Sequence, residues 1–295
     1  MDNRNDIREF LVSRRARITP QQAGLPVYGS NRRVPGLRRE EAALLAGVSV
    51  DYYTQLERGK LAGASEAVLD AVAKALQLDE AERSHLFDLA RTANSSPRRR
   101  RRLAHKIRPG LQQVLDALTD APAFIRNGRL DILAINRLGR ALYAPQFDTP
   151  HRPVNIARFN FLDPRAHDFF PDWEAAADTS VAILRTEAGR DPYDRNLSDL
   201  IGELSTRSDD FRTRWAAHDV RLHHTGGKSF HHPAIGGLSL DFEAFALPTD
   251  PGLTLTIYTA ATGTPAHDNL KLLASWAATH LSADQPHPAD DPTHT

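Results

Sequence analysis

The chain has 295 residues and no cysteine, which excludes a disulfide framework or a thiolate metal site and makes the cytoplasm the expected compartment. No uninterrupted apolar run approaches the roughly 20 residues of a membrane-spanning helix, so no membrane partner is expected. The opening MDNRNDIREFLVSRR is charged from its first residues and lacks the apolar centre of a signal peptide. Lysine is scarce, 5 against 32 arginines, a bias of codon usage that says nothing of mechanism. Net charge is absent too, and this absence hides an asymmetry. Residues 1–109 hold 21 Lys plus Arg against 13 Asp plus Glu, and the remainder holds 16 against 24. A basic first half attracts polyanions, which makes nucleic acid its leading partner, with a merely solvated basic face as the bland alternative.

What is present is a hydrophobic content of 41%, a globular value, in a chain long enough for two domains. Residues 6–17 carry Ile7, Phe10 and Leu11 at helical spacing, with Asp6 suited to the N-cap. A loop broken by Pro20, Pro26 and Pro35 follows. Short helical patterns then run through LRREEAALLAG, SVDYYTQLERG, SEAVLDAVAKAL and DEAERSHLFDLARTA, so five helices fill residues 6–93. The stretch from Asn94 to Gly110, with five consecutive arginines at 98–102, reads as a linker. Such a run either stays solvated or tracks phosphates. Beyond it, Asn127-Gly128 marks a hairpin between two short strands. A mainly helical middle leads to alternating strand patterns in SFHHPAIGGLSLDFEAFALP and LTLTIYTAAT, and a last helix precedes a polar tail expected to be disordered. The resulting division is residues 1–94, a basic linker at 95–110, a second domain at 111–281 and a tail at 282–295.

The segment LRREEAALLAGVSVDYYTQLERGK has the parts of a helix-turn-helix. Ala42, Ala43, Leu45 and Ala46 give a small inner face, Gly47 the tight turn, Val48 an apolar plug and Ser49 the next N-cap. Tyr53 and Leu56 then face inward, and Val50, Asp51, Tyr52, Thr54, Gln55 and Arg58 face outward, where they suit a major groove. Gln pairs with an adenine edge, Asp accepts from cytosine, and Val or a tyrosine ring meets a thymine methyl. Arg38, Arg39, Arg58 and Lys60 flank this face as phosphate contacts, which position without specifying. Arg32 and Arg33, in the preceding loop, are further candidates for the backbone or minor groove.

LLAGVSVDYYTQLERGK resembles the helix-turn-helix of the Xre/Cro repressor family, and the likeness spans about residues 6–93. It implies phosphate contact by Arg39, base reading by Val50, Asp51 and Gln55, and a second phosphate near Arg58. The insertion around VYGSNRRVPG resembles that of the actinobacterial regulators of MmyB type. That likeness continues from about Ile107 to Leu281 through RPGLQQVLDAL, FLDPRAHDFFPDWE and SFHHPAIGGLSLDFE. It implies a multidomain α and α+β protein: an all-α five-helix DNA-binding domain, then a PAS-like α/β ligand-binding domain with an antiparallel sheet. It further implies a cytoplasmic transcription regulator, a repressor by analogy, whose second domain senses a small apolar effector such as a fatty acid. Two half-sites for one short reading helix make a homodimer the expected form on double-stranded DNA.

From the residues alone, Phe124, Ile132, Phe161, Trp173, Trp215, Phe242 and Ile257, together with Phe159, Phe169 and Phe170, suit a ligand cavity and serve equally as plain core. Arg158, His218 and Arg221 are the polar candidates beside them. His223, His224, His231 and His232 flank TGGKSF. A hairpin there would gather imidazoles, but adjacent strand residues point to opposite faces, so no metal site is expected. No G-x-S-x-G elbow or phosphate-cradling glycine motif appears, and neither an enzymatic role nor a resident cofactor is expected. A DNA-tethered enzyme and a protein-interaction module without a small ligand stay open as competitors.

Overall fold

The computed structural model describes residues 3–26, 34–94, 107–219 and 224–281. Along the chain come the helices α1 (Asn3–Arg17), α2 (Arg39–Leu45), α3 (Val50–Glu57), α4 (Glu66–Ala75), α5 (Glu80–Asn94) and α6 (Pro109–Ala117). Strands β1 (Ala123–Asn127) and β2 (Ile132–Ile135) precede α7 (Arg137–Leu142), α8 (Ala144–Phe147), α9 (Ile156–Leu162), α10 (Arg165–Phe169), α11 (Trp173–Arg190), α12 (Arg195–Arg207) and α13 (Asp209–Ala216). Strands β3 (Thr225–His232), β4 (Gly236–Ala246) and β5 (Leu253–Thr259) lead to α14 (Pro265–His280). Arg32, Arg33, the arginine run 98–102, Arg221, His223 and the tail lie outside the described residues.

The chain forms two compact units, Met1–Arg99 with Val181–Leu222 and Arg100–Ser180 with His223–Thr295. The first therefore takes in α12, α13 and the end of α11, which a division into contiguous blocks assigns to the second domain. Helix α11 shows no break in composition at the boundary, so nothing local in the sequence marks it.

In the first unit α1 begins at Asn3, and Asp6 lies inside its first turn instead of capping it; an acidic residue there complements the helix dipole. Ile7, Phe10 and Leu11 join Leu37, Tyr53, Leu56, Leu69 and Leu86 in one core. Gly36 packs so close to α1 that a Cβ there would overlap the backbone of Ala16. Ser65 caps α4 by accepting from the Val68 amide at 3.3 Å.

The second unit is built on a five-stranded antiparallel sheet of order β2-β1-β5-β4-β3, with α7 to α10 and the first part of α11 between β2 and β3. Its two faces carry separate cores. Ala123, Ile125, Leu253, Leu255 and Ile257 pack with Leu111 and Leu115 of α6. The other face holds edge-to-face rings: Phe124 on Tyr143 at 5.4 Å, and Phe230 at 5.7 Å from Tyr143 and 5.6 Å from Tyr258. The hydroxyls of Tyr143 and Tyr258 meet at 2.6 Å. Asn136 closes the β1–β2 hairpin, donating to the carbonyls of Leu118 and Ala121 and accepting from the amides of Ala123 and Gly139. All four hydrogen-bonding positions of its amide are thereby satisfied.

Candidate functional site

The helix-turn-helix is held by local chemistry at each corner. Helix α2 ends in a Schellman turn: Gly47 takes φ +65°, its amide donates to the Leu44 carbonyl, and the Val48 amide donates to that of Ala43. Ser49 then caps α3, accepting from the Tyr52 amide at 3.1 Å. At the start of α2 the Arg38 amide donates to the Glu41 carboxylate at 2.7 Å.

Tyr53, Leu56 and Glu57 form the buried face of α3. Val50, Asp51, Gln55, Arg58 and Lys60 are exposed, together with Arg38 and Arg39, while Tyr52 and Thr54 are partly buried. Tyr52 leans on the core, which leaves it a smaller outward surface than its phase on the helix suggests. Leu45 is only partly buried, and its neighbour Leu44 is 71% exposed.

Glu57 is the residue that sequence reasoning missed. It is 1% exposed and accepts from Arg15 Nε at 2.7 Å, Arg15 Nη2 at 3.1 Å and Arg39 Nε at 2.7 Å. Arg15 also donates to the Leu37 carbonyl at 2.7 Å, tying α1 to the entrance of α2. Arg39 keeps half of its side chain exposed, so its guanidinium is aimed by a buried carboxylate while one edge stays outward. The signal was available: Glu57 falls four residues after Tyr53 on the apolar stripe, and a carboxylate there needs a cation.

A second buried network fastens α13 to α1 within the same unit. Arg14, 2% exposed, donates through Nη2 to the His218 carbonyl at 2.5 Å, and its Nε lies 2.9 Å from Glu82 of α5. His218 meets Glu9 through Nε2 at 2.8 Å and Arg185 through Nδ1 at 2.9 Å. Arg185 also donates to the Trp215 carbonyl and stacks 3.9 Å over the Trp215 ring. Trp215 and His218, candidates for ligand contact on sequence grounds, stand in this helical network, in the first unit.

His85, between Phe10 and Gly189, is buried, and desolvation, aided by the field of Arg185, drives its imidazole down to about 3. Burial likewise lowers His218, to about 4. An unfolded histidine takes up its proton near 6.5, so between that pH and about 3 the unfolded state binds more protons. Stability is therefore expected to fall as pH drops through this window, by at most about 1.4 kcal/mol per unit for each histidine. Chemical denaturation at pH 7 and pH 5 measures the slope, and His85→Leu should flatten it; an unaltered slope in that variant would contradict the assignment.

The remaining ligand candidates are dispersed. Phe124 and Phe242 share the aromatic face of the sheet, where Phe242 approaches Tyr258 at 6.0 Å. Ile257 packs on the opposite face with Ala123 and α6, because residues one apart on a strand alternate. Ile132 is buried in β2. Trp173 donates through Nε1 to the Asn160 carbonyl at 2.8 Å, stacks on His167 at 4.1 Å and meets Phe161 edge-on at 6.1 Å. Of these candidates Phe242 lines a cavity of about 140 Å³, together with Phe170, Asp172, Ala176, Thr179 and Lys228. Lys228 is the second residue missed: period two in β3 sets it on one face with Phe230 and His232, both buried.

TGGKSF does not form a hairpin. It lies within β3, and the turn comes after His232. His232 bonds the Ala141 carbonyl at 2.9 Å and His231 is exposed, as strand alternation requires. No helix among the described residues is long and apolar enough to cross a membrane.

Comparison with known families agrees with this architecture. No curated protein matches the chain. Residues 12–86 match a helix-turn-helix domain, a DNA-binding architecture. Residues 107–273, more than half of the chain, match the MmyB-like transcription regulator ligand binding domain, and the chain belongs to that family of transcription regulators.

Proposed function

We propose that the protein is a sequence-specific repressor, acting as a homodimer in the cytoplasm and released or retained on DNA by a small, largely apolar effector. The observation that carries the reading is the exposed face of α3. Val50, Asp51 and Gln55 stand there between Arg39, aimed by buried Glu57, and Arg58 at the far end of the helix. Base-reading groups flanked by phosphate-gripping cations are what major-groove recognition needs. Tyr52 and Thr54 contribute from their outward edges, and Arg38 and Lys60 add charge at the rim.

Effector response needs a ligand that binds two states unequally. Residues 181–219 support a route for it: they lie inside the ligand-domain match yet fold against α1 and α5. A displacement of α13 would act on α1 through Arg14, and α1 carries Arg15, which holds Glu57 and Arg39.

Footprinting of full-length protein against genomic fragments tests the reading. Gln55→Ala should change preference at one base pair of the operator by about 1–3 kcal/mol. Arg58→Gln should weaken binding evenly across sequences and lower the salt slope by about one. A Gln55→Ala protein with the parent's sequence preference would sink the proposal.

A further inference from the structure

Strand β3 alternates so that Lys228, Phe230 and His232 share one face, and Lys228 pairs in register with Leu240 of β4. An apolar residue is what this position ordinarily takes. The Lys228 ammonium lies 4.4 Å from the ring centre of Phe170, 5.7 Å from that of Phe230 and 5.9 Å from that of Tyr143. Among the described residues no carboxylate or carbonyl comes within ion-pair or hydrogen-bond range of it. Asp172 lines the same cavity, but its carboxylate accepts from the Ala175 amide at 3.1 Å and caps the start of α11. Arg126 of β1, itself buried, adds a second positive field.

Burial, with repulsion from Arg126, lowers the Lys228 ammonium to about 8, so at neutral pH it still carries most of its charge. Lys228 is partly buried, and ring quadrupoles compensate its charge only in part. The cavity is lined by this cation together with Phe170 and Phe242. At about 140 Å³ it is close to the size of an engineered cavity that takes one benzene. The neighbouring rings of Tyr143, Phe230 and Tyr258 are in edge contact and the two tyrosine hydroxyls are bonded to each other.

We propose that this cavity binds a small organic monocarboxylate, its carboxylate paired with Lys228 and its compact apolar body, on the order of six heavy atoms, lying against Phe170 and Phe242. The assignment rests on the reading of the second unit as the effector-binding part, and it adds the charge and size of the effector. An inorganic anion would leave the aromatic walls unused, and a cation would meet the Lys228 ammonium.

Isothermal titration of the full-length protein with benzoate, hexanoate, hexanol, hexylamine and myristate tests this. Benzoate or hexanoate should bind and hexylamine should not. Lys228→Met, similar in volume, should lose carboxylate affinity by at least about tenfold, with melting temperature unchanged or higher because a partly desolvated cation is gone. A Lys228→Met protein that binds carboxylates as the parent does, or hexylamine matching hexanoate, overturns the anion site. Binding of myristate but not hexanoate overturns the size. Hexanol or myristate bound equally with and without Lys228 leaves the apolar-effector reading standing while the anion site falls; if none of the five binds, both fall.

Discussion

Glu57→Ala is expected to cost the helix-turn-helix unit about 3–5 kcal/mol, the usual loss when one partner of a buried ion pair is removed. Glu57 is nearly inaccessible, and three hydrogen bonds from two arginines converge on it. Its loss leaves Arg15, mostly buried between α1 and α3, without its counter-charge. Glu57→Gln keeps the volume and one acceptor and should cost less, and it allows the sign of the DNA effect to be read on a folded protein. By net charge alone, removing a carboxylate beside the reading helix should tighten binding to a polyanion. If Glu57 aims Arg39 at a phosphate, binding should weaken instead, and evenly across sequences, because a phosphate contact specifies nothing. Urea unfolding and DNA affinity at fixed salt check the two parts. Tighter binding by folded Glu57→Gln would show that Arg39 needs no guidance.

Sequence legibility followed the range of the chemistry. Ser49, Ser65 and Gly47 act on residues within one helical turn, and each stands where its type requires. The alternation of β4, with Leu238, Leu240, Phe242 and Ala244 inward, is likewise a local pattern. Glu57 and Lys228 escaped because a charge on an apolar phase is read as outward until the packing is known; both stand in phase with buried neighbours. The assignment of residues 181–219 escaped for a different reason. Linkers announce domain borders by composition, whereas this border falls inside α11, and its evidence is a set of contacts distant in sequence, such as Thr92 with Gly189, 97 residues apart, and Arg190 with Asp88, 102 apart.

The second large effect expected is at Arg14. Arg14→Met should destabilise the first unit by about 3–5 kcal/mol, since Glu82 loses a cation at 2.9 Å and the His218 carbonyl loses its donor. Converting Glu82 to Met as well removes a carboxylate left with Arg17 alone, at 3.3 Å, and the double variant should recover part of the loss, because a buried pair replaced as a whole often costs little. The cycle of unfolding free energies gives the coupling directly, and strict additivity of the two changes would dissolve the pair. The double variant also decides what the network is for. It keeps the apolar packing of α1 against α5 and the Glu9–His218 and Arg17–Asp219 pairs, but removes the tie from α1 to the end of α13 that runs through Arg14. If that tie carries the effector's influence to Arg15, Glu57 and Arg39, the double variant should bind operator DNA with the parent's sequence preference and respond less to an effector. An effector response of undiminished size in a folded double variant would mean that residues 181–219 stabilise the unit without signalling through Arg14.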